Sequence, residues 1–165
     1  ILLSFGLVRR VNGGSTITQQ VARNFFLSPS KTLERKLKEV LLALQIERRL
    51  SKAQILELYM NQIYLGQRAY GFGSAAKVYF GKPLKDLSIA QAAMLAGLPQ
   101  APSAGNPVVN PKRAKLRQMY VLRRMHELRF IDDAQLEAAQ QQHLVARHGN
   151  QEYPVKADYL ASRWV

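Results

Sequence analysis

A chain of 165 residues with 47% apolar content can bury one substantial core, and the absence of cysteine excludes disulfides and thiolate metal sites. A surplus of 24 Lys and Arg over 11 Asp and Glu gives a formal charge of +13, which predicts a polyanionic partner: nucleic acid, an anionic membrane surface or a phosphorylated ligand. No run approaches the roughly 20 apolar residues that span a bilayer; Ile1–Val8 is too short and lacks the charged start of a signal peptide, and Ile1 in place of methionine reads as the start of a piece of something longer.

Helix signals then follow one another along the chain. Gly13-Gly14-Ser15-Thr16-Ile17-Thr18-Gln19-Gln20 reads as a glycine turn feeding a polar helix start. Thr16 and Gln19 fit a capping box, predicting a helix to about Phe26. Ser28-Pro29 reads as a cap with proline at the first helical position. Leu33, Leu37, Val40, Leu41 and Leu44 then recur at helical spacing to about Leu50. Ser51 and Gln54 repeat the box and open a helix through Ile55, Leu58, Tyr59 and Ile63 that Gly66 is expected to end. Gly73 to Phe80 reads as a short helix stopped by Gly81, and Ser88 with Gln91 opens the run Ala92–Ala96. Leu98 to Pro111 is irregular, with four prolines. Asn110-Pro111 starts a basic helix to Leu128, and Asp132 or Asp133 caps a last helix ending near Gln142. The pattern predicts an all-α domain of about seven helices over 1–142, with 143–165 a tail or linker toward a further domain.

The residues that can carry chemistry cluster early. Lys31, Arg35, Lys38 and Glu39 lie three or four apart and so share one helix face. Alone, that face reads as a solvated surface with an Arg35–Glu39 pair worth under ~1 kcal/mol. The preceding helix shifts the reading, because Gln19, Gln20, Arg23 and Asn24 form a second polar face linked to the first by a short turn. Two such faces can line one groove, and backbone N–H groups at the helix start after Gly13-Gly14 suit a phosphate. Before residue 50 the only acids are Glu34, Glu39 and Glu47. Glu39 is the best single candidate for chemistry on a sugar, flanked by cations that keep it ionised; Glu34 reads as exposed, and Glu47 can share the stripe. His126, His143 and His148 lack metal-ligand spacing, and Ser15 lacks a nucleophile-elbow sequence. Asn61, Gln62 and Arg68 are the later polar residues that can face a ligand. The basic helix with Lys112, Arg113, Lys115, Arg117, Arg123 and Arg124 reads first as a solvated face.

In order, the blocks Gly13–Gln20, Arg35–Glu39, Lys52–Asn61, Arg68–Ala76 with Tyr79–Gly81, and Ala96–Ser103 make the chain resemble the peptidoglycan glycosyltransferases (glycosyltransferase family 51), especially the transglycosylase domain of class A penicillin-binding proteins. The resemblance implies a lysozyme-like helical fold, present here in part. It implies polymerisation of lipid II into glycan strands at the periplasmic, outer face of the cytoplasmic membrane. In that family a glutamate deprotonates the acceptor sugar's 4-hydroxyl, which attacks the donor's anomeric carbon, and undecaprenyl diphosphate leaves with inversion. Arg23, Lys31, Arg35 and Lys38 then match phosphate-holding positions, and Glu39 matches the family's second glutamate, which organises the phosphate site. Gly14, Ser15, Thr16, Gln19, Gln20 and Asn24 match groove contacts, with Asn61 and Arg68 among the substrate-facing residues. The resemblance further implies a divalent cation, Mg or Mn, at the substrate diphosphate.

The partners it implies are lipid II, the growing lipid-linked strand, the anionic membrane surface and other cell-wall synthesis proteins, with no nucleic acid. The family's first motif, an acidic pair followed by Phe and His that carries the main catalytic glutamate, belongs before Gly13. This chain has no acid or histidine there, so the expectation is that the parent protein polymerises glycan while the 165-residue chain alone does not. The rivals are a glycan hydrolase, which needs no phosphate cradle, and a basic helical nucleic-acid-binding or membrane-peripheral module. The nucleic-acid reading would show steep salt-dependent binding, and it is weakened because the aromatics interleave with apolar positions and not with the arginines.

Overall fold

The computed structural model describes residues 15–27, 32–144 and 146. Among them are seven α-helices: α1 (Ile17–Phe26), α2 (Leu33–Arg49), α3 (Lys52–Gln62), α4 (Phe72–Phe80), α5 (Ile89–Gly97), α6 (Pro111–Glu127) and α7 (Asp133–Gln141). Two 3-10 turns, Leu84–Asp86 and Leu98–Gln100, complete the described elements. The all-α class and most starts follow the local signals. Capping boxes are present at Thr16/Gln19, Ser51/Gln54, Ser88/Gln91 and Asp132/Gln135. Each satisfies two backbone N–H groups that a helix start leaves open. Asn110 caps α6 by accepting from the Arg113 N–H, with Pro111 at the first position.

Three local expectations change. The N-cap of α2 is Thr32, whose hydroxyl accepts from the Arg35 N–H at 3.1 Å; Ser28-Pro29 lies outside the described residues. α3 ends at Gln62, not at Gly66. Gly66 instead forms the turn that lets Tyr64 and Tyr70 make an antiparallel bridge, because its φ of +83° is open to glycine at no steric cost. The Leu98–Pro111 stretch holds a 3-10 turn and is organised by Asn106, which is fully buried. Its Nδ2 donates to the Pro102 and Ser103 carbonyls, and its Oδ1 accepts from the Val108 and Val109 N–H groups.

The chain falls into two compact units divided between Ile63 and Tyr64. In the first, α1 packs on α2 and α3 around Val21, Ala22, Ala43 and Ile55. The leucine stripe of α2 faces outward: Leu33, Leu37, Leu41 and Leu44 are all more than half exposed. The face of α2 turned inward carries Glu39 and Ala43, both buried. Periodicity finds such a stripe but not which side of the helix meets a neighbour.

The second unit is built around α5, whose Ala90, Ala93 and Gly97 are buried and let α6 approach closely. Leu122, Ile131 and Ala139 close the core from α6, the connecting loop and α7. Gln118 of α6, fully buried, donates its amide to the Ala90 carbonyl at 2.6 Å. In the same unit α4 ends on Gly81 in the left-handed conformation.

Candidate active site

The first unit holds the residues singled out on α1 and α2. Thr16 caps α1 and so fixes the position of its first turn. Across from that turn, one α2 side chain ties the two helices together: Lys36 Nζ donates to Glu39 Oε1 at 2.6 Å, to Ser15 Oγ at 3.1 Å and to Gln19 Oε1 at 3.4 Å. Glu39 is wholly buried, and Arg35 Nη1 lies 3.8 Å from its other oxygen, Oε2. A buried carboxylate costs several kcal/mol to desolvate unless cations compensate it. Here two do, leaving this cluster of three with a net positive charge.

Two atoms of the cluster remain unsatisfied. Arg35 Nε and Glu39 Oε2 are buried without a hydrogen-bond partner among the described residues. Buried polar groups are paired in the large majority of cases, so orphaned ones mark places where a further group belongs.

Several sequence-predicted residues fall elsewhere. Lys38 does not join Glu39; its Nζ donates to Glu34 Oε1 at 2.6 Å on the exposed side of α2. Adjacent residues point about 100° apart on a helix, whereas positions four apart stack. That ion pair holds the Glu34 carboxyl below its usual range, first through the hydrogen bond from Lys38 and then through its charge. Glu39 itself is a buried pair member and not the surface pair that spacing alone suggests. Gln20 is half-buried and donates to the Ser15 carbonyl at 3.4 Å. Arg23 is half-buried on α1, and Asn24 is exposed. Asn61 stands exposed in the last turn of α3. Arg68 belongs to the second unit, exposed, with a φ of +59°. Gly14 and Lys31 lie outside the described residues, as does His148.

Lys36 is the residue the sequence reading missed. Its signal was present: Lys36 and Glu39 are three apart, a pairing distance on any helix. Choosing Arg35 and Lys38 as the basic face passed over the lysine between them.

Glu47, the third early acid, anchors the far end of the same helix pair. It accepts the Thr18 hydroxyl at 2.6 Å and lies 3.3 Å from Lys52 Nζ. The Thr18 hydrogen bond, followed by Lys52's hydrogen bond and charge, lowers its pKa from 4.5. A group whose pKa is depressed in the folded state contributes stability above its unfolded pKa and loses it as pH falls through the folded value. The stability advantage of the natural chain over Glu47→Gln is therefore expected to be full above about pH 4.5 and to be lost as pH falls further, through the lower folded value. Urea unfolding of both proteins across that range checks it; a difference independent of pH would show that the Thr18 contact does not favour the ionised form.

The donor set of the cluster suits an anion and not a metal ion. Its one carboxylate already faces two cations, and no group of three or more His, Asp and Glu able to hold a metal occurs among the described residues.

The sequence profile of the family described as Transglycosylase matches residues 4–126. Penicillin-binding protein 1A of Neisseria gonorrhoeae is 65% identical over 128 residues, covering 78% of this chain and 16% of that protein. Penicillin-binding protein 1A of Pseudomonas aeruginosa is 54% identical over 149 residues, covering 90% of this chain and 18% of that protein. The crystal structure of penicillin-binding protein 1A from Haemophilus influenzae matches 90% of this chain and 18% of its own at a TM-score of 0.58 and 32% identity. The likeness supports the lysozyme-like helical class. The chain thus spans less than a fifth of the length of these relatives. With a profile match over residues 4–126, most of its length, this chain belongs to the transglycosylase family.

Proposed function

We propose that the chain is part of a peptidoglycan glycosyltransferase that polymerises lipid II into glycan strands, with undecaprenyl diphosphate leaving and inversion at the anomeric carbon. The observation that carries this reading is the buried Glu39 held by Lys36 and Arg35 against the first turn of α1, with Arg35 Nε lacking an acceptor among the described residues. In this reading Arg35, with Arg23 and Lys31, receives the diphosphate, while Lys38, paired with Glu34 on the exposed side of α2, stands apart from it. Charge-assisted bonds from guanidinium and ammonium groups strengthen as the leaving group gains charge, which favours the transition state over the ground state. Glu39 does not touch the sugar. It holds Lys36 and Arg35 in place and prevents the cations from repelling one another before substrate arrives. Ser15, Thr16, Gln19, Gln20 and Asn24 contact the ligand beside them.

The other assignments follow from the same reading. Substrate and product are lipid II and the growing lipid-linked strand, handled at the periplasmic face of the cytoplasmic membrane, with other cell-wall synthesis proteins as neighbours. Among the described residues no helix is long and apolar enough to cross a membrane. A divalent cation, Mg or Mn, would sit at the substrate's diphosphate.

Equilibrium binding of the chain to a detergent-solubilised, lipid-linked diphosphate disaccharide tests the reading. The natural chain is expected to bind at least tenfold more tightly than a Lys31→Ala/Arg35→Ala variant, and duplex DNA only weakly and with steep salt dependence. Equal binding by both proteins, or a preference for DNA, would reject the diphosphate cradle.

A further inference from the structure

The second unit contains a cavity of about 320 Å³ that the proposed activity does not use. Two arginines of α6, Arg113 and Arg117, line it with Leu116, Tyr120, Ala101 and Gln100. Arg117 lies over the Tyr120 ring, its Cζ 4.6 Å from the centroid, a cation–π contact. Its stem lies against α5 at Gly97, where a Cβ would come within 2.8 Å of Arg117 Cγ. Gly97 thus leaves room for the Arg117 stem, while Arg113 Cδ lies at ordinary contact distance, 3.7 Å, from where a Cβ on Gly105 would stand.

These cations have no counter-charge. Neither Arg113 nor Arg117 makes an ion pair among the described residues, while Lys36, Lys38, Lys52 and Arg124 all do. Arg117 Nε is buried and has no hydrogen-bond partner. Two guanidinium groups without ion-pair partners among the described residues, on the wall of a cavity of small-ligand size, fit an oxyanion.

The walls narrow the class. Phosphate and carboxylate both suit a guanidinium fork, but the Leu116 side chain and the Tyr120 ring also line this cavity and offer an apolar surface. A carboxylate needs the guanidinium fork on one side only and leaves the rest of its molecule free to lie on apolar surface. We propose that this cavity is a binding site for a small organic carboxylate, with Arg117 and Arg113 gripping the carboxyl group and Leu116 and Tyr120 covering a methyl-sized substituent.

The test uses the full 165-residue chain and N-acetylalanine as probe, with N-acetylalaninamide as the neutral control and inorganic phosphate as the competing anion. Calorimetry and amide-shift mapping read the binding. The acid is expected to bind at least tenfold more tightly than the amide and than phosphate, with shifts concentrated at residues 97–120. Arg117→Lys keeps the charge but loses the planar fork, and should weaken the acid at least tenfold. Arg113→Gln, at an exposed position in the first turn of α6, should weaken it severalfold while leaving the helical circular dichroism signal unchanged. Equal affinity for acid and amide, tighter binding of phosphate, or no loss in Arg113→Gln would overturn the assignment. Because none of these residues belongs to the α1–α2 cluster, failure here leaves the diphosphate reading untouched.

Discussion

Replacing Glu39 by glutamine is expected to destabilise the first unit by about 3 kcal/mol, near the lower end of what removing one partner of a buried ion pair costs. The carboxylate is fully buried, its Oε1 accepts from Lys36, and Arg35 stands 3.8 Å from Oε2. Glutamine keeps the shape and can still accept from Lys36, but it leaves two neighbouring cations without negative charge. Lys36→Met should cost less, about 2 kcal/mol, since the lysine side chain is 44% exposed and Arg35 still faces the carboxylate. Urea unfolding of the natural chain and both variants at pH 7 measures the difference. A Glu39→Gln protein as stable as the natural chain would mean that the carboxylate is not what holds these cations together. Inorganic pyrophosphate supplies a second reading: an added anion that binds the folded cluster should restore part of the lost stability by mass action.

The second large effect is expected at Gly66. Its φ of +83° already disfavours any side chain, at about 1–2 kcal/mol. A Cβ there would also stand 2.2 Å from the Pro102 carbonyl oxygen and 2.8 Å from the Tyr79 hydroxyl. Neither can retreat easily. The Pro102 oxygen is backbone and accepts from Asn106 Nδ2 at 2.8 Å, and Tyr79 is fully buried with its hydroxyl donating to the Leu65 carbonyl at 2.8 Å. Burial also pushes the Tyr79 phenol well above its ordinary range, so it stays a neutral donor at any working pH. Gly66→Ala should therefore cost about 3–5 kcal/mol, the backbone strain and the overpacking together. Gly73→Ala is the matched control. It lies inside α4, and its added Cβ would meet only Leu84 Cδ1 at 3.9 Å. Helix propensity alone then predicts a gain of up to about 1 kcal/mol. Thermal unfolding of the pair decides the matter: equal melting temperatures would show that the Tyr64–Tyr70 turn tolerates a side chain.

These two sites illustrate different limits of sequence reading. Glu39 was legible as a candidate because charge spacing on a helix is local, but its burial was not. The leucines on α2 outnumber the residues of its inward face, and a hydrophobic count alone turns the helix the wrong way. Gly66 was legible as a breaker but was assigned to the wrong job, since a glycine that ends a helix and one that allows a close approach look alike in a string of letters.

The sequence by itself determined what depends on neighbours within four residues. The capping boxes at Thr16, Ser51, Ser88 and Asp132 set helix starts because a side chain two or three positions away satisfies an open N–H. Gly81 set the end of α4, and the ordered motifs marked the family. Tertiary structure decided everything that depends on which faces meet. It buried Glu39 and turned four leucines outward, made Lys36 the link from α2 to Ser15 and Gln19, and sent Lys38 to Glu34. In the second unit it brought Gly97 against the Arg117 stem. The physical reason is the same in each case: burial changes the worth of a charge or a methyl group severalfold, and burial is a property of the assembled helices and not of the periodicity within one.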